Sequence, residues 1–223
     1  MAVDGTSGSG KSSTSRGVAR RLGLRYLDTG AMYRAVTWWM LRHQVDVHDP
    51  EAVAERCEEP RIDSGTDPAG PTITVDGEDV AAAIREPDVN AAVSPVSAVP
   101  EVRARMVALQ RAAIDEARAG AGIVVEGRDI GSVVWPGAPV KVYLSADASA
   151  RATRRAAEEG GTDVGATEES LLARDRIDSG RSVSPLVMAD GAVHIDTTAY
   201  SLDEVIARVV ALVEQLDSVG SDA

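Results

Sequence analysis

The stretch Gly5-Thr6-Ser7-Gly8-Ser9-Gly10-Lys11-Ser12-Ser13 fits the pattern G-x-x-x-x-G-K-[ST] and constrains the fold more than any other part of the chain. Such a loop sits between a strand and the first turn of a helix. Its glycines let the backbone turn where a side chain would collide, so that N–H groups converge on phosphate oxygens. Lys11 is expected to reach the outer phosphates of a nucleoside triphosphate as a point charge, and the Ser12 hydroxyl to hold magnesium. The flanks agree: Ala2-Val3-Asp4 reads as a strand end and Ser12 to Leu22 as a helix. Only three or four residues precede Gly5, whereas a buried strand takes ~4 to 8. Either the first strand is short or the sequence begins late.

At 223 residues the chain can form either one large α/β domain or one domain with a small insert, and it can bury a real core. Phenylalanine is absent, so that core must rest on Val, Ile, Leu, Ala and Met. A net charge of −12 argues against a nucleic-acid partner, which would want a basic surface. The positive charge is nearly all arginine, with Lys11 and Lys141 the two lysines, and arginine suits bidentate phosphate recognition. Cys57 stands alone, which excludes an intrachain disulfide and a cysteine metal cluster. No apolar run approaches the roughly 18 residues of a membrane span, and no signal peptide precedes the glycine loop. A cytoplasmic protein without a membrane partner is expected.

Short apolar segments alternate with helical patterns, the signature of a parallel sheet with crossover helices. The expected strands are Ala2–Asp4, Leu24–Asp28, Gly122–Glu126, Val140–Leu144 and Ala192–Asp196. Met32, Ala35, Val36, Trp39 and Met40 share one helical face, as do Val102, Met106, Leu109 and Ala113 after Pro100. Val205, Ile206, Val209, Leu212, Val213 and Leu216 give the last helix its core stripe. Residues Pro60 to Ala82 break the alternation with a short β element and an Asp76-Gly77 turn, a small insert. The acidic, glycine-rich run from Glu158 to Gly165 is expected to be a mobile flap.

Charged motifs recur where this architecture puts ligands, at the carboxyl ends of strands. Leu27-Asp28-Thr29-Gly30-Ala31-Met32-Tyr33-Arg34 follows the second strand and Glu126-Gly127-Arg128-Asp129-Ile130-Gly131 the third. Ser94 and Arg103 lie between them. Arg174, Asp178 and Arg181 fall at i, i+4 and i+7, one helical face if the helix persists that far. A salt-bridged, solvated face would explain that last set alone, but not the recurrence at strand ends. A guanine-reading Asn-Lys-x-Asp is absent, which sets GTPase switches aside. Small-molecule kinases remain, with a non-catalytic nucleotide switch as the alternative.

These motifs together resemble the bacterial cytidylate kinase family, within the nucleoside monophosphate kinases, and the likeness runs essentially end to end. The resemblance adds Gly77-Glu78-Asp79-Val80 before Ile84-Arg85, Ala138-Pro139-Val140-Lys141-Val142-Tyr143-Leu144 and Ser184-Pro185-Leu186. It implies an α/β P-loop fold with a five-stranded parallel sheet, flanking helices, a small β insert in the acceptor region and a short lid. It implies a single kinase domain with a core of about 1–40, 100–150 and 185–217, an acceptor region of about 41–99 and a lid of about 151–175. The implied activity is Mg²⁺-dependent transfer of the ATP γ-phosphoryl group to CMP or dCMP by a monomer; another small-molecule P-loop kinase is the near alternative.

By the same resemblance, Gly5 to Ser13 bind ATP and Ser12 the metal. Arg34 and Arg128 hold the CMP phosphate, with Thr29 nearby. Ser94, Arg103 and Asp129 read cytosine, and Arg174 and Asp178 take the sugar hydroxyl. Lys11, Arg128, Arg154, Arg155 and Arg181 form the implied catalytic set, Arg181 reaching toward phosphates. Arg151, Arg154 and Arg155 border the lid, and the resemblance does not choose among them.

Overall fold

The computed structural model of the chain describes residues 1–158, 161, 163–180 and 185–220. The chain divides into two compact units, residues 1–24 with 124–223 and residues 25–123. Strand β1 (Ala2–Gly5) and helix α1 (Lys11–Leu22) open the first unit. The second follows with β2 (Arg25–Asp28), α2 (Thr29–Arg42), α3 (Pro50–Arg56), β3 (Ile62–Ser64), β4 (Ile73–Val75), β5 (Glu78–Asp79), α4 (Pro87–Ala98) and α5 (Pro100–Arg118). Within β6 (Ile123–Glu126) the chain returns to the first unit, which continues through β7 (Lys141–Ser145), α6 (Ala148–Glu158), α7 (Val164–Ser179), β8 (Val193–Asp196) and α8 (Leu202–Gly220).

The main sheet has five strands in the order β2-β6-β1-β7-β8, the five-stranded parallel architecture expected from the sequence. Strand β1 runs parallel to β6 and to β7, pairing Val3 with Glu126 and with Val142, and β7 runs parallel to β8. Every residue of β1 and β6 is buried, as a central parallel strand covered on both faces requires. Each expected strand is present, within a residue or two at its ends.

Local chemistry explains the helix boundaries. Helix α1 starts after Gly10, at φ 85°, and stops at Gly23, at φ 66°, both left-handed positions that glycine takes at little cost. The Asp28 carboxylate caps α2 by accepting from the Ala31 N–H at 3.0 Å. Pro50, Pro87 and Pro100 each open a helix, where the missing N–H costs nothing. The expected stripe on α2 is buried throughout. On α5 the buried face is Val102, Arg103, Met106, Gln110, Ile114 and Ala117, whereas Leu109 and Ala113 are half-buried. The apolar pattern therefore missed that face by one residue, because two polar side chains, Arg103 and Gln110, lie on it.

The insert is a three-stranded antiparallel sheet, β3-β4-β5, with Ile62 opposite Val75 and Val75 opposite Glu78. Its tight turn is Asp76-Gly77, both at positive φ (52° and 84°), the backbone that suits a two-residue hairpin. Asp76 also accepts from the Arg61 N–H at 2.8 Å and the Trp39 indole N–H at 3.1 Å, tying the insert to α2.

Candidate active site

The glycine loop leaves β1 through Gly5, where an added Cβ would lie 1.9 Å from the Leu144 carbonyl oxygen, so the position admits glycine alone. The loop's carbonyls are held by side chains. Thr6 O accepts from Lys11 Nζ at 2.6 Å and Ser9 Oγ at 2.9 Å, Ser7 O from Arg151 Nη1 at 2.8 Å, and Ser9 O from Thr197 Oγ1 at 3.1 Å. The Ser7 N–H donates to Asp175 Oδ1 at 3.0 Å. With carbonyls held in this way, the loop is pre-shaped to present N–H groups to an anion.

Lys11 is 6% exposed, and its ammonium is pushed down to about 7. Burial is the main cause, Arg128 adds to it, and Glu126, Asp4 and Asp175 oppose it. A cation held so far from water is poised to gain from an arriving polyanion. Asp4 shows the mirror image: burial raises its carboxyl to about 6, although it accepts from the Ile130 and Gly131 N–H groups at 2.8 and 2.7 Å. Those two bonds fix the turn that follows Arg128 and Asp129.

Ser12 Oγ donates to Glu126 Oε2 at 3.0 Å, and Glu126 is buried at the end of β6. Oxygen donors of this kind fit Mg²⁺, which keeps waters and phosphate oxygens and needs only one or two protein ligands. Among the described residues no three His, Cys, Asp or Glu side chains cluster as metal ligands. A shared site, with Ser12 and the donor phosphates together, is what this donor set can offer.

The residues expected to bind the acceptor divide evenly between the two units. Thr29, Arg34, Ser94 and Arg103 belong to the second. Thr29 is buried at the start of α2; Arg34 donates to Ile84 O at 3.1 Å and to Asn90 Oδ1. Ser94 is buried on α4, where its carbonyl accepts from Ser97 Oγ at 3.1 Å. Arg103 is buried on α5, with Nη1 3.3 Å from Ser97 O and its guanidinium 5.5 Å from the centre of the Tyr33 ring.

Arg128, Asp129, Arg174 and Asp178 belong to the first unit. Arg128 Nε meets Asp178 Oδ2 at 3.1 Å, so the structure brings an expected phosphate ligand and an expected sugar ligand together. Asp129 is buried, and Arg174 lies on α7 one turn before Asp178.

Of the three arginines expected to border a lid, Arg151 donates to the glycine loop at Ser7 O. Arg154 donates instead to Thr197 Oγ1 at 3.0 Å and Thr197 O at 2.7 Å, at the end of β8, and Arg155 is half-buried on α6. Arg181 lies outside the described residues, as do Glu159, Gly160 and Thr162 of the expected flap. Asp163 caps α7 by accepting from the Ala166 N–H at 2.9 Å.

Sequence reasoning assigned no role to Asp4, Asp175 or Thr197. Asp4, near the end of β1, and Thr197, just after β8, could have been marked on that ground. Asp175 carries no such signal, because its partner Ser7 is 168 residues away.

The family model described as cytidylate kinase matches residues 1–215. A cytidylate kinase of Streptomyces coelicolor is 60% identical over 215 residues, which is 96% of this chain and 92% of the relative. A cytidylate kinase of Streptomyces griseus subsp. griseus is 58% identical over 214 residues, with the same coverage. Among solved structures, an uncharacterized protein from Eubacterium ventriosum aligns over 97% of both chains at a TM-score of 0.51 and 12% identity, a likeness of fold alone.

Proposed function

The chain belongs to the cytidylate kinase family, and from that premise we propose that it transfers the γ-phosphoryl group of ATP to CMP or dCMP, giving ADP with CDP or dCDP. The observation that carries the reading is Lys11, a nearly buried cation at the mouth of a loop whose carbonyls are already held by other side chains. Phosphoryl transfer leaves little covalent work for a protein, so positioning and charge stabilisation supply most of the rate.

In this reading Gly5 to Ser13 cradle the donor phosphates and Lys11 spreads the charge that develops on the moving group. Ser12, backed by Glu126, holds Mg²⁺, which neutralises phosphate charge. Arg34 and Arg128 aim the CMP phosphate oxygen, already ionised at neutral pH, so no general base is required. Arg34 can trade its bonds to the Ile84 carbonyl and the Asn90 amide oxygen for charge-assisted bonds to the phosphate. Arg155 and Arg181 reach toward the transferring phosphoryl. Arg154 keeps that assignment only by leaving Thr197, whereas Arg151 already touches the donor loop.

Cytosine selection falls to Ser94, Arg103 and Asp129. Cytosine offers an amine donor beside acceptor atoms, and uracil reverses that edge. Ionised Asp129 only accepts and Arg103 only donates, so together they match cytosine and oppose uracil. Arg174 and Asp178 take the sugar hydroxyl. No helix among the described residues is long and apolar enough to cross a membrane, and we assign the enzyme to the cytoplasm, acting as a monomer on small molecules.

The test is phosphate transfer from ATP to CMP, dCMP, UMP, AMP and shikimate. CDP and dCDP should form fastest. A preference for AMP or shikimate would make this another small-molecule kinase, and a stable ATP complex that forms no diphosphate would make it a switch.

A further inference from the structure

We infer that Asp175 and Arg151 act together as positioning residues for the donor nucleotide, aiming the Gly8 N–H by gripping both ends of Ser7. The inference rests on the kinase reading and names two residues that it leaves without a role.

The geometry is a clasp. Asp175 Oδ1 accepts from the Ser7 N–H at 3.0 Å, and Arg151 Nη1 donates to the Ser7 carbonyl at 2.8 Å. The two side chains close on each other through Arg151 Nη1 and Asp175 Oδ2 at 2.5 Å. Arg151 is 4% exposed. One ion pair, its arginine buried and its carboxylate 15% exposed, thus holds one loop residue by its donor and its acceptor.

Two consecutive peptide planes are fixed as a result. The Thr6–Ser7 plane has its carbonyl on Lys11 Nζ and its N–H on Asp175. The Ser7–Gly8 plane has its carbonyl on Arg151. In a trans peptide the C=O and N–H point in opposite directions, so Arg151 turns the Gly8 N–H away from α6. Gly8 itself sits at φ 75°, and a Cβ there would lie 3.3 Å from Arg151 Cβ and 3.5 Å from Leu171 Cδ1. Helices α6 and α7 therefore press on the loop where its N–H groups must face the phosphates.

A pair that only held the fold could have met any part of the first unit. This one meets the donor loop, and Asp175 stands one turn before Asp178, which engages Arg128. Helix α7 thus touches the donor loop and a member of the acceptor set within four residues.

The experiment measures ATP binding by calorimetry without an acceptor, then KM for ATP and CMP, kcat and melting temperature. The variants are Asp175→Asn, Asp175→Glu and the double variant Arg151→Met with Asp175→Asn. Asp175→Asn keeps an acceptor for the Ser7 N–H but leaves Arg151 a buried charge without its counter-ion, so it can fail to fold. The double variant removes both charges and keeps the test open.

In the double variant ATP binding should weaken about tenfold, with KM for ATP rising in step, KM for CMP within about twofold and kcat largely held, the pattern of lost ground-state binding. Asp175→Glu should recover part of the loss. Unchanged ATP binding in the double variant would overturn the inference. So would equal rises in both KM values alongside a fall in melting temperature, the mark of a pair that only supports the fold. Wild-type protein that binds ATP but phosphorylates no monophosphate would sink the kinase reading and leave the binding comparison intact.

Discussion

The side chains expected to meet the donor and those expected to meet the acceptor are seated differently in the two units. In the first, Lys11, Asp4, Glu126, Arg128, Arg151, Asp175 and Asp178 are packed close together, and Lys11 and Asp4 are pushed toward neutrality by burial. In the second, Arg34 donates to the oxygens of Ile84 and Asn90, and Arg103 donates to the Ser97 carbonyl and lies over the face of Tyr33. A charge locked against an opposite charge holds geometry at a desolvation cost. A guanidinium on a carbonyl gives up little when a phosphate or a base arrives. The donor loop is shaped by side chains that grip its backbone, while the carbonyl and amide contacts of Arg34 and Arg103 are of a kind that a phosphate or a base can replace.

The strongest way to break that contrast is Lys11→Ala. Turnover should fall roughly 10² to 10³-fold, the usual loss for one aimed electrostatic donor. Melting temperature should hold within a few degrees, because a buried cation is given up along with its bond to Thr6. Near-normal turnover would remove the loop from the mechanism.

Asp4 tests whether burial in the first unit carries a stability cost. Its folded carboxyl titrates near 6 against an ordinary 3.8, so the folded state binds this proton more tightly than the unfolded one. The stabilisation is complete below pH 3.8 and is lost as pH rises through about 6. Over that interval the loss is on the order of 3 kcal/mol. Urea unfolding of wild type and Asp4→Asn between pH 4 and 7 should show the wild-type slope flattened in the variant. Parallel curves would mean that Asp4 does not titrate there.

Arg103→Met probes the second unit. The specificity constant for CMP should drop roughly 10- to 100-fold, the discrimination carried by one good base contact, with ATP binding unchanged and the gap between CMP and UMP narrowed. Equal losses for CMP and UMP would show that Arg103 does not read the base. The smallest effect is a control away from both ligand sets. Gly17 on α1 faces Ile206 of α8, and a Cβ there would lie 2.2 Å from Ile206 Cδ1. Gly17→Ala should lower stability by roughly 1 to 3 kcal/mol through overpacking, with KM values untouched; changed kinetics would mean that α8 communicates with the donor loop.

Much of this was legible in the sequence because its signals are local. Strand segments bounded by turn residues located all five strands of the main sheet, and Asp76-Gly77 announced the insert's hairpin. The glycine loop and the motifs at strand ends were readable for the same reason, since a strand's carboxyl end is a place that topology dictates. The buried face of α5 was misjudged because hydrophobic periodicity does not see a buried arginine or glutamine. Asp175 stayed hidden because the run Arg174-Asp175-Arg176 looks like a solvated helix face until α7 is folded against the loop. Which carboxylate in such a run turns inward is settled by tertiary contact, not by spacing.

One detail of the second unit gives the chain its own optical probe. Trp39 is 4% exposed, with its indole N–H on Asp76, His43 stacked at 3.8 Å on one side and the Arg56 guanidinium 4.8 Å from its ring centre. Its excited state is therefore shielded from water and lies against an imidazole that can quench it. Trp38 is its neighbour on α2, and the third tryptophan, Trp135, belongs to the other unit. Separation of the β insert from α2 should register as a red shift and a change in Trp39 intensity, so a Trp38→Tyr, Trp135→Tyr background would isolate that motion spectroscopically from events at the donor loop.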